Sequence, residues 1–140
     1  MTPQALADLH AACFAHERAW TAAEFAELLQ SQAVFLVPSQ DGASGFALGR
    51  VAAEEAELLT LAVAPDARRQ GRGRTILQRF ASEAQERGAR DAFLEVAADN
   101  AAAIALYTNG GYVERARRPG YYARTGGSHA DALILGRALG

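Results

Sequence analysis

At 140 residues the chain is long enough for one packed domain and too short for two comfortable ones. Half of it is hydrophobic and 21% is charged, which excludes a disordered chain, and 14 basic residues against 16 acidic ones argue against a general nucleic-acid binder. All 14 basic residues are arginine, so any anion site must be built from guanidinium forks, backbone amides and helix ends.

Met1-Thr2-Pro3-Gln4 has no basic region followed by an apolar stretch, so no signal peptide is expected and the cytoplasm is the expected location. Residues 4–15 and 21–32 read as helices. Leu6, Leu9 and Phe14 mark the apolar face of the first; Phe25, Leu28 and Leu29 mark the second, with Thr21 as its cap ahead of Glu24. Cys13 is the single cysteine, which leaves no intrachain disulfide and no cysteine-ligated zinc. Residues 33–37 form a short strand, an apolar run far below the roughly 18 residues of a membrane span. A turn rich in Gln, Asp, Gly and Ser follows at 39–44. Strands at 45–52 and 57–64, separated by a tight acidic turn, predict an antiparallel hairpin.

After Pro65 the period changes to helical. Ile76, Leu77, Phe80, Ala81 and Ala84 share a face through about residue 87, and Gly88 ends the segment. Residues 91–97 read as a strand and 100–109 as a helix capped by Asp99 or Asn100 and stopped by Gly110-Gly111. The last strands, 112–117 and 132–138, are joined by a loop rich in Gly, Tyr and Arg. The order α-α-β-β-β-α-β-α-β-β predicts a single α/β (α+β) domain over residues 1–140, with a mixed sheet and helices on its faces.

The most informative stretch is Val63-Ala64-Pro65-Asp66-Ala67-Arg68-Arg69-Gln70-Gly71-Arg72-Gly73-Arg74, where a strand runs through a glycine-bearing loop into a long helix. Such a junction points backbone amides outward at the positive end of the helix dipole and makes a phosphate cradle. Arg68, Arg69, Arg72 and Arg74 add charge-assisted donors. A Walker A loop is excluded because the chain has no lysine, and a dinucleotide fingerprint would need glycine where Ile76 stands. The bland alternative is a flexible turn carrying solvated arginines.

Arg68-Arg69-Gln70-Gly71-Arg72-Gly73 resembles the Gln/Arg-x-x-Gly-x-Gly/Ala acetyl-CoA signature of the GCN5-related N-acetyltransferase (GNAT) superfamily. Leu94-Glu95-Val96, the run Asn100 to Tyr107, Gly111-Tyr112, the segment Arg117 to Tyr122 and Asp131-Ala132 resemble its RimI-like branch, the ribosomal-protein N-alpha-acetyltransferases. Trp20-Thr21 is similar to that branch's Trp-Ser entry to the second helix. The resemblance spans about residues 5–138 and implies a mostly antiparallel sheet flanked by helices. The family usually opens with a strand before the first helix; here that strand is expected to be missing or reduced.

Acyl transfer from a thioester to an amine has two proton problems: the amine must lose a proton, and the departing thiolate leaves better if it receives one. Glu95 is the candidate proton acceptor, on a strand whose apolar neighbours are expected to bury it. Tyr107 is the candidate donor, since a phenol stays protonated at neutral pH. By residue pattern alone Glu95 reads as a strand-end carboxylate and Tyr107 as a core tyrosine; the resemblance assigns both to catalysis. It also implies that Leu61, Ala62 and Val63 present backbone groups to acetyl-CoA where the strand splays, that the Arg68–Arg74 loop (with Gln70, Gly71 and Gly73) holds the phosphates, and that Asn100 meets the pantetheine besides capping its helix. Trp20, Tyr121 and Tyr122 are the expected acceptor-binding residues, within walls running from Phe14 to Trp20 and from Arg117 to Tyr122. His10, His16 and His129 have no acidic partners at ligand spacing, so no metal is expected. The expected partner is a protein N-terminus, that of a ribosomal protein by resemblance, with no direct nucleic acid and no membrane. A small-molecule amine as acceptor, or a non-catalytic acyl-CoA-binding module, are the alternatives.

Overall fold

The computed structural model describes residues 1–14 and 18–140. Helix α1 (Pro3–Cys13) opens with Thr2, whose side chain accepts the Ala5 N–H at 3.1 Å, and has proline at its first position, where a missing N–H costs nothing. Helix α2 (Ala22–Leu29) starts on a full capping box: Thr21 Oγ1 accepts the Glu24 N–H at 3.2 Å, and Glu24 Oε1 accepts the Thr21 N–H at 3.1 Å. Both helices are shorter than the 4–15 and 21–32 expected. His16 and the middle of the Phe14–Trp20 wall lie outside the described residues.

Strands β1 (Val34–Pro38), β2 (Gly45–Ala52) and β3 (Glu55–Val63) form an antiparallel meander; the β2–β3 turn is only Ala53-Glu54, with Ala53 at φ 54, so β3 starts two residues earlier than expected. Helix α3 (Arg72–Glu86) is followed by Gly88 at φ 95, the left-handed stop the sequence predicts. Strand β4 (Asp91–Ala97) leads to helix α4 (Ala101–Asn109). Asn100, not Asp99, caps α4 by accepting the Ala103 N–H at 3.2 Å; Asp99 instead pairs with Arg124 at 2.8 Å. Strands β5 (Val113–Ala123) and β6 (His129–Ala138) close the chain. The expected loop between them is mostly strand, so Tyr121 and Tyr122 sit on β5. Pairing with β6 survives there because β5 accommodates a bulge.

The sheet order is β1-β2-β3-β4-β6-β5, with every neighbouring pair antiparallel except β3 and β4. Among the described residues no strand precedes α1, and β1 forms a sheet edge. The parallel pair is held only from Glu55 opposite Asp91 to Leu58 opposite Leu94. Beyond that point β3 continues on β2 and β4 continues on β6, so the sheet splits. A bulge in the β2–β3 register at Leu48/Gly49 bends the strands at the level of the split.

Two cores flank the sheet. One, under α3 and α4, contains Phe35, Ile76, Phe80, Leu94, Tyr112 and Leu135. The other, under α1 and α2, joins Leu6 and Phe25 to Val34, Phe46, Leu48 and Ala62. Its sheet residues come from β1–β3, so the opposite half of that face, on β4, β6 and β5, is left open. Among the described residues no helix is long and apolar enough to cross a membrane.

His10 belongs to the second core, 3% exposed, stacked on Phe14 (4.2 Å) and Trp20 (5.1 Å), with Nδ1 accepting the Trp20 N–H at 3.2 Å. Burial pulls its pKa down to about 4; Glu24 opposes that shift and Arg18 adds to it. A folded-state value below the unfolded 6.5 means the unfolded chain takes up the proton first. Stability is therefore intact above pH 6.5 and lost as pH falls toward 4, by about 3 kcal/mol in all. The thermal midpoint is expected to drop by several degrees between pH 7 and pH 5 and to stay flat over that window in His10→Phe. A wild-type midpoint unchanged down to pH 4.5 would refute the assignment.

Candidate active site

The split between β3 and β4 and the start of α3 form one end of the sheet. Gly71, at φ 74, is the N-cap of α3 and makes no side-chain cap bond, so no capping side chain covers the first amides of the helix. A Cβ at Gly71 would meet nothing within 4 Å; what calls for glycine is the left-handed backbone and the open approach. Arg69 also stands at φ 64, unusual for a side-chain-bearing residue and of the kind found at ligand loops. These features fit a nucleotide diphosphate such as that of acetyl-CoA. Gly73, in the first turn, lies against Leu106 and Val63, where a Cβ would come within 3.4 Å of Leu106.

The four loop arginines are not equally available. Arg72 donates to Asp41 Oδ2 at 2.6 Å, to Ser44 and to Gln70, tying the loop to the turn between β1 and β2. Arg68 Nε donates to the Val63 carbonyl at 3.1 Å. Arg69 and Arg74 remain exposed. Asp41 also accepts from Ser39, Ala43 and Ser44, which holds its carboxyl far below the usual range. A cavity of about 330 Å³ beside this junction is lined by Asp41, Gln70, Gly71, Arg72, Thr75 and Arg79 among others. Replacing Gly71 with valine forces a β-branched residue into a left-handed conformation and crowds the approach without clashing with the core. That variant is expected to lose CoA binding in titration calorimetry while keeping its far-UV spectrum. Full CoA affinity in Gly71→Val would show that the loop is not the cradle.

Leu61, Ala62 and Val63 lie on β3 beyond the split, as the splay expectation requires. Ala62 is nevertheless 2% exposed and paired to Phe46, and the Val63 carbonyl already accepts from Arg68 and from Cys13 Sγ at 3.2 Å. Glu95 is the first β4 residue past the split. It is not buried as expected: its side chain is 30% exposed, because position 95 faces the half of the sheet that α1 and α2 leave open. Its described charged neighbour is Arg118, at 3.9 Å. Tyr107, on α4, is 8% exposed, and burial first, then Tyr112, pushes its phenol well above the ordinary value of 10. No hydrogen bond to its hydroxyl is found among the described residues. Asn100 spends its side-chain oxygen on the α4 cap, which leaves its amide group for a ligand.

On the acceptor side, Tyr121 is 52% exposed and packs edge-on against Tyr122 at 5.1 Å. Arg118 lies over the Tyr121 ring and Arg124 over Tyr122, each at 5.3 Å. Trp20 is half-buried in the His10–Phe25 aromatic stack, and no described contact joins it to Glu95 or to the tyrosine pair. The sequence marks His10 only as an unsuitable metal ligand and Asp131 only within the Asp131-Ala132 resemblance, and gives Asp41 only as part of a polar turn; the structural role of each comes from the fold. For His10 a signal exists, since it lies four residues from both Leu6 and Phe14 on the buried helix face; the other two act through register and loop closure. A larger groove of about 510 Å³, lined by Gly110, Val113, Arg115 and Arg137 among others, lies at the other end of β5 and β6 and contains none of the candidate residues. Among the described residues no group of three or more His, Cys, Asp or Glu could hold a metal ion.

Comparison with known proteins gives a consistent result. A model of the Acetyltransferase (GNAT) family matches residues 4–112. The chain is 39% identical over 122 residues to ribosomal protein bS18-alanine N-acetyltransferase of Escherichia coli strain K12, covering 86% of this chain and 82% of that protein. It is 42% identical over 97 residues to the protein of the same name from Salmonella typhimurium, covering 69% and 65% of the two. The crystal structure of the ribosomal-protein-S18-alanine N-acetyltransferase from Escherichia coli matches with a TM-score of 0.87 at 35% identity, over 98% of this chain and 87% of the other.

Proposed function

The chain belongs to the GNAT acetyltransferase family, and on that footing we propose that it moves an acetyl group from acetyl-CoA to the N-terminal alpha-amine of a protein. The relatives named for bS18 support a small-subunit ribosomal protein as the acceptor, met in the cytoplasm. The observation that carries the reading is Glu95 standing first past the β3–β4 split, on the open face, with the uncapped start of α3 at the same end.

In this reading the amides of residues 70–74, with Arg69 and Arg74, hold the phosphates. Leu61 to Val63 and Asn100 guide the pantetheine arm. The acceptor nitrogen attacks the thioester carbonyl, the C–N bond forms and the C–S bond breaks. Glu95 takes the amine proton, directly or through one water, and Tyr107 supports the departing sulfur from its hydroxyl. Tyr121 and Tyr122 hydrogen-bond the first peptide units. Trp20 acts by shaping the α1–α2 wall rather than by direct contact.

The test is a panel of peptides and small amines incubated with acetyl-CoA and read by intact mass. One acetyl group on peptides with small first residues is the expected result. Transfer to small amines alone would replace the acceptor assignment, and binding of acetyl-CoA with neither transfer nor hydrolysis would make this an acyl-CoA-binding module.

A further inference from the structure

Between Arg118, opposite Ala132, and Tyr122, opposite Ala130, β5 spends three residues, Pro119, Gly120 and Tyr121, against Asp131 alone. Gly120 stands at φ 60, and the nearest atom to a Cβ there would be His129 Cβ at 3.9 Å, so the conformation rather than space calls for glycine. A bulge of this size leaves backbone donors without a ladder partner. Asp131 supplies one: Oδ1 accepts the Gly120 N–H at 2.9 Å while Oδ2 accepts from Arg117 at 3.0 Å. The Asp131 backbone carbonyl also accepts the Ala98 N–H at 2.8 Å, which ties the same residue to the end of the strand that carries Glu95.

The register shows what the bulge presents. Glu95 and Ala97 share a face of β4; Ala97 is opposite Ala132, which is opposite Arg118, and Tyr122 follows opposite Ala130. Arg118 and Tyr122 therefore lie on the Glu95 face, and the extra residues push Tyr121 outward, where it is 52% exposed. Without the bulge the tyrosines would shift along the strand and one would turn to the other face.

We infer that Asp131 is a positioning residue for the acceptor: it holds the β5 bulge so that Arg118, Tyr121 and Tyr122 frame the amine in front of Glu95, and it does so without taking part in acetyl-CoA binding. The inference rests on the acetyl-transfer reading above. Asp131→Ala removes both side-chain bonds, whereas Asp131→Asn keeps an oxygen for Gly120 and loses only the charge facing Arg117. In steady-state kinetics the alanine variant is expected to raise KM for the acceptor by about tenfold or more, with kcat changed less and the acetyl-CoA Kd within about twofold of wild type. The asparagine variant is expected to recover part of that KM, the remainder being the lost pair with Arg117.

An alanine variant with wild-type acceptor KM would overturn the inference. So would a loss of acetyl-CoA affinity parallel to the acceptor effect, which marks general loosening rather than positioning. Should Asp131→Ala fail to fold, Arg117→Met is read in its place: a raised acceptor KM supports the inference and an unchanged one overturns it. The wild type is assayed first with an Ala-initiated peptide and with a small primary amine. If only the small amine reacts, the N-terminal reading fails while the KM comparison is made on that amine. If neither reacts, both fall together.

Discussion

Tyr107→Phe and Glu95→Gln are each expected to lower kcat by on the order of 10²-fold or more, with acetyl-CoA affinity and thermal midpoint nearly unchanged. The structure makes both substitutions clean. The Tyr107 hydroxyl has no described protein partner, so deleting it strands no buried donor or acceptor, and the ring that packs against Tyr112 at 6.2 Å is kept. Glu95 is on an open face, so its amide counterpart costs no core packing. Burial keeps Tyr107 protonated, so its hydroxyl can donate to the charge developing on the departing sulfur at any working pH. The Tyr107→Phe defect is therefore expected across the whole pH range. The Glu95→Gln defect is expected to shrink above pH 8, where the acceptor alpha-amine has already lost its proton. Near-normal turnover in both variants at neutral pH would return the two residues to structural roles.

The two kinds of residue in this site differ in how visible they are along the chain. The α3 junction reads directly, because a strand, two glycines and an apolar helical face are consecutive and their physics is local. Helix caps read for the same reason: Thr21 and Glu24 are three residues apart, and Asn100 precedes its helix by one position. The exposure of Glu95 does not read. Ala92, Leu94 and Val96 are indeed buried, but on the α3 side; what uncovers position 95 is that α1 and α2 reach only as far as β3, a fact of tertiary packing. Nor does the length of β5, since Pro119-Gly120 is a turn signal by composition and becomes a bulge only because β6 lies alongside. The same holds for Arg72, whose partner Asp41 is 31 residues away and turns an apparent phosphate ligand into a brace for the loop.

A peptide carrying both a free N-terminus and an internal lysine is expected to be acetylated at the N-terminus, with the lysine slower by two orders of magnitude or more. An alpha-amine has a reference pKa of about 7.7–8.0, so a single carboxylate needs to shift its equilibrium only slightly at neutral pH, whereas a lysine amine near 10.4 needs roughly 3–4 kcal/mol more. Among the described residues nothing in the site supplies that. The charged group described beside Glu95 is Arg118, a cation at 3.9 Å, and among the described residues Asp131 is engaged by Gly120 and Arg117 and Asp99 by Arg124. An approaching lysine ammonium would meet Arg118, whose second neighbour is the Tyr121 ring, before it reached the base. A terminal amine, neutral for an appreciable fraction of the time, meets no such barrier, and its first peptide units are expected to meet the Tyr121–Tyr122 pair. Fragmentation of the reacted peptide locates the acetyl group. Finding it mainly on the lysine would require a source of deprotonation that Glu95 and its described neighbours do not provide, and would overturn the acceptor assignment.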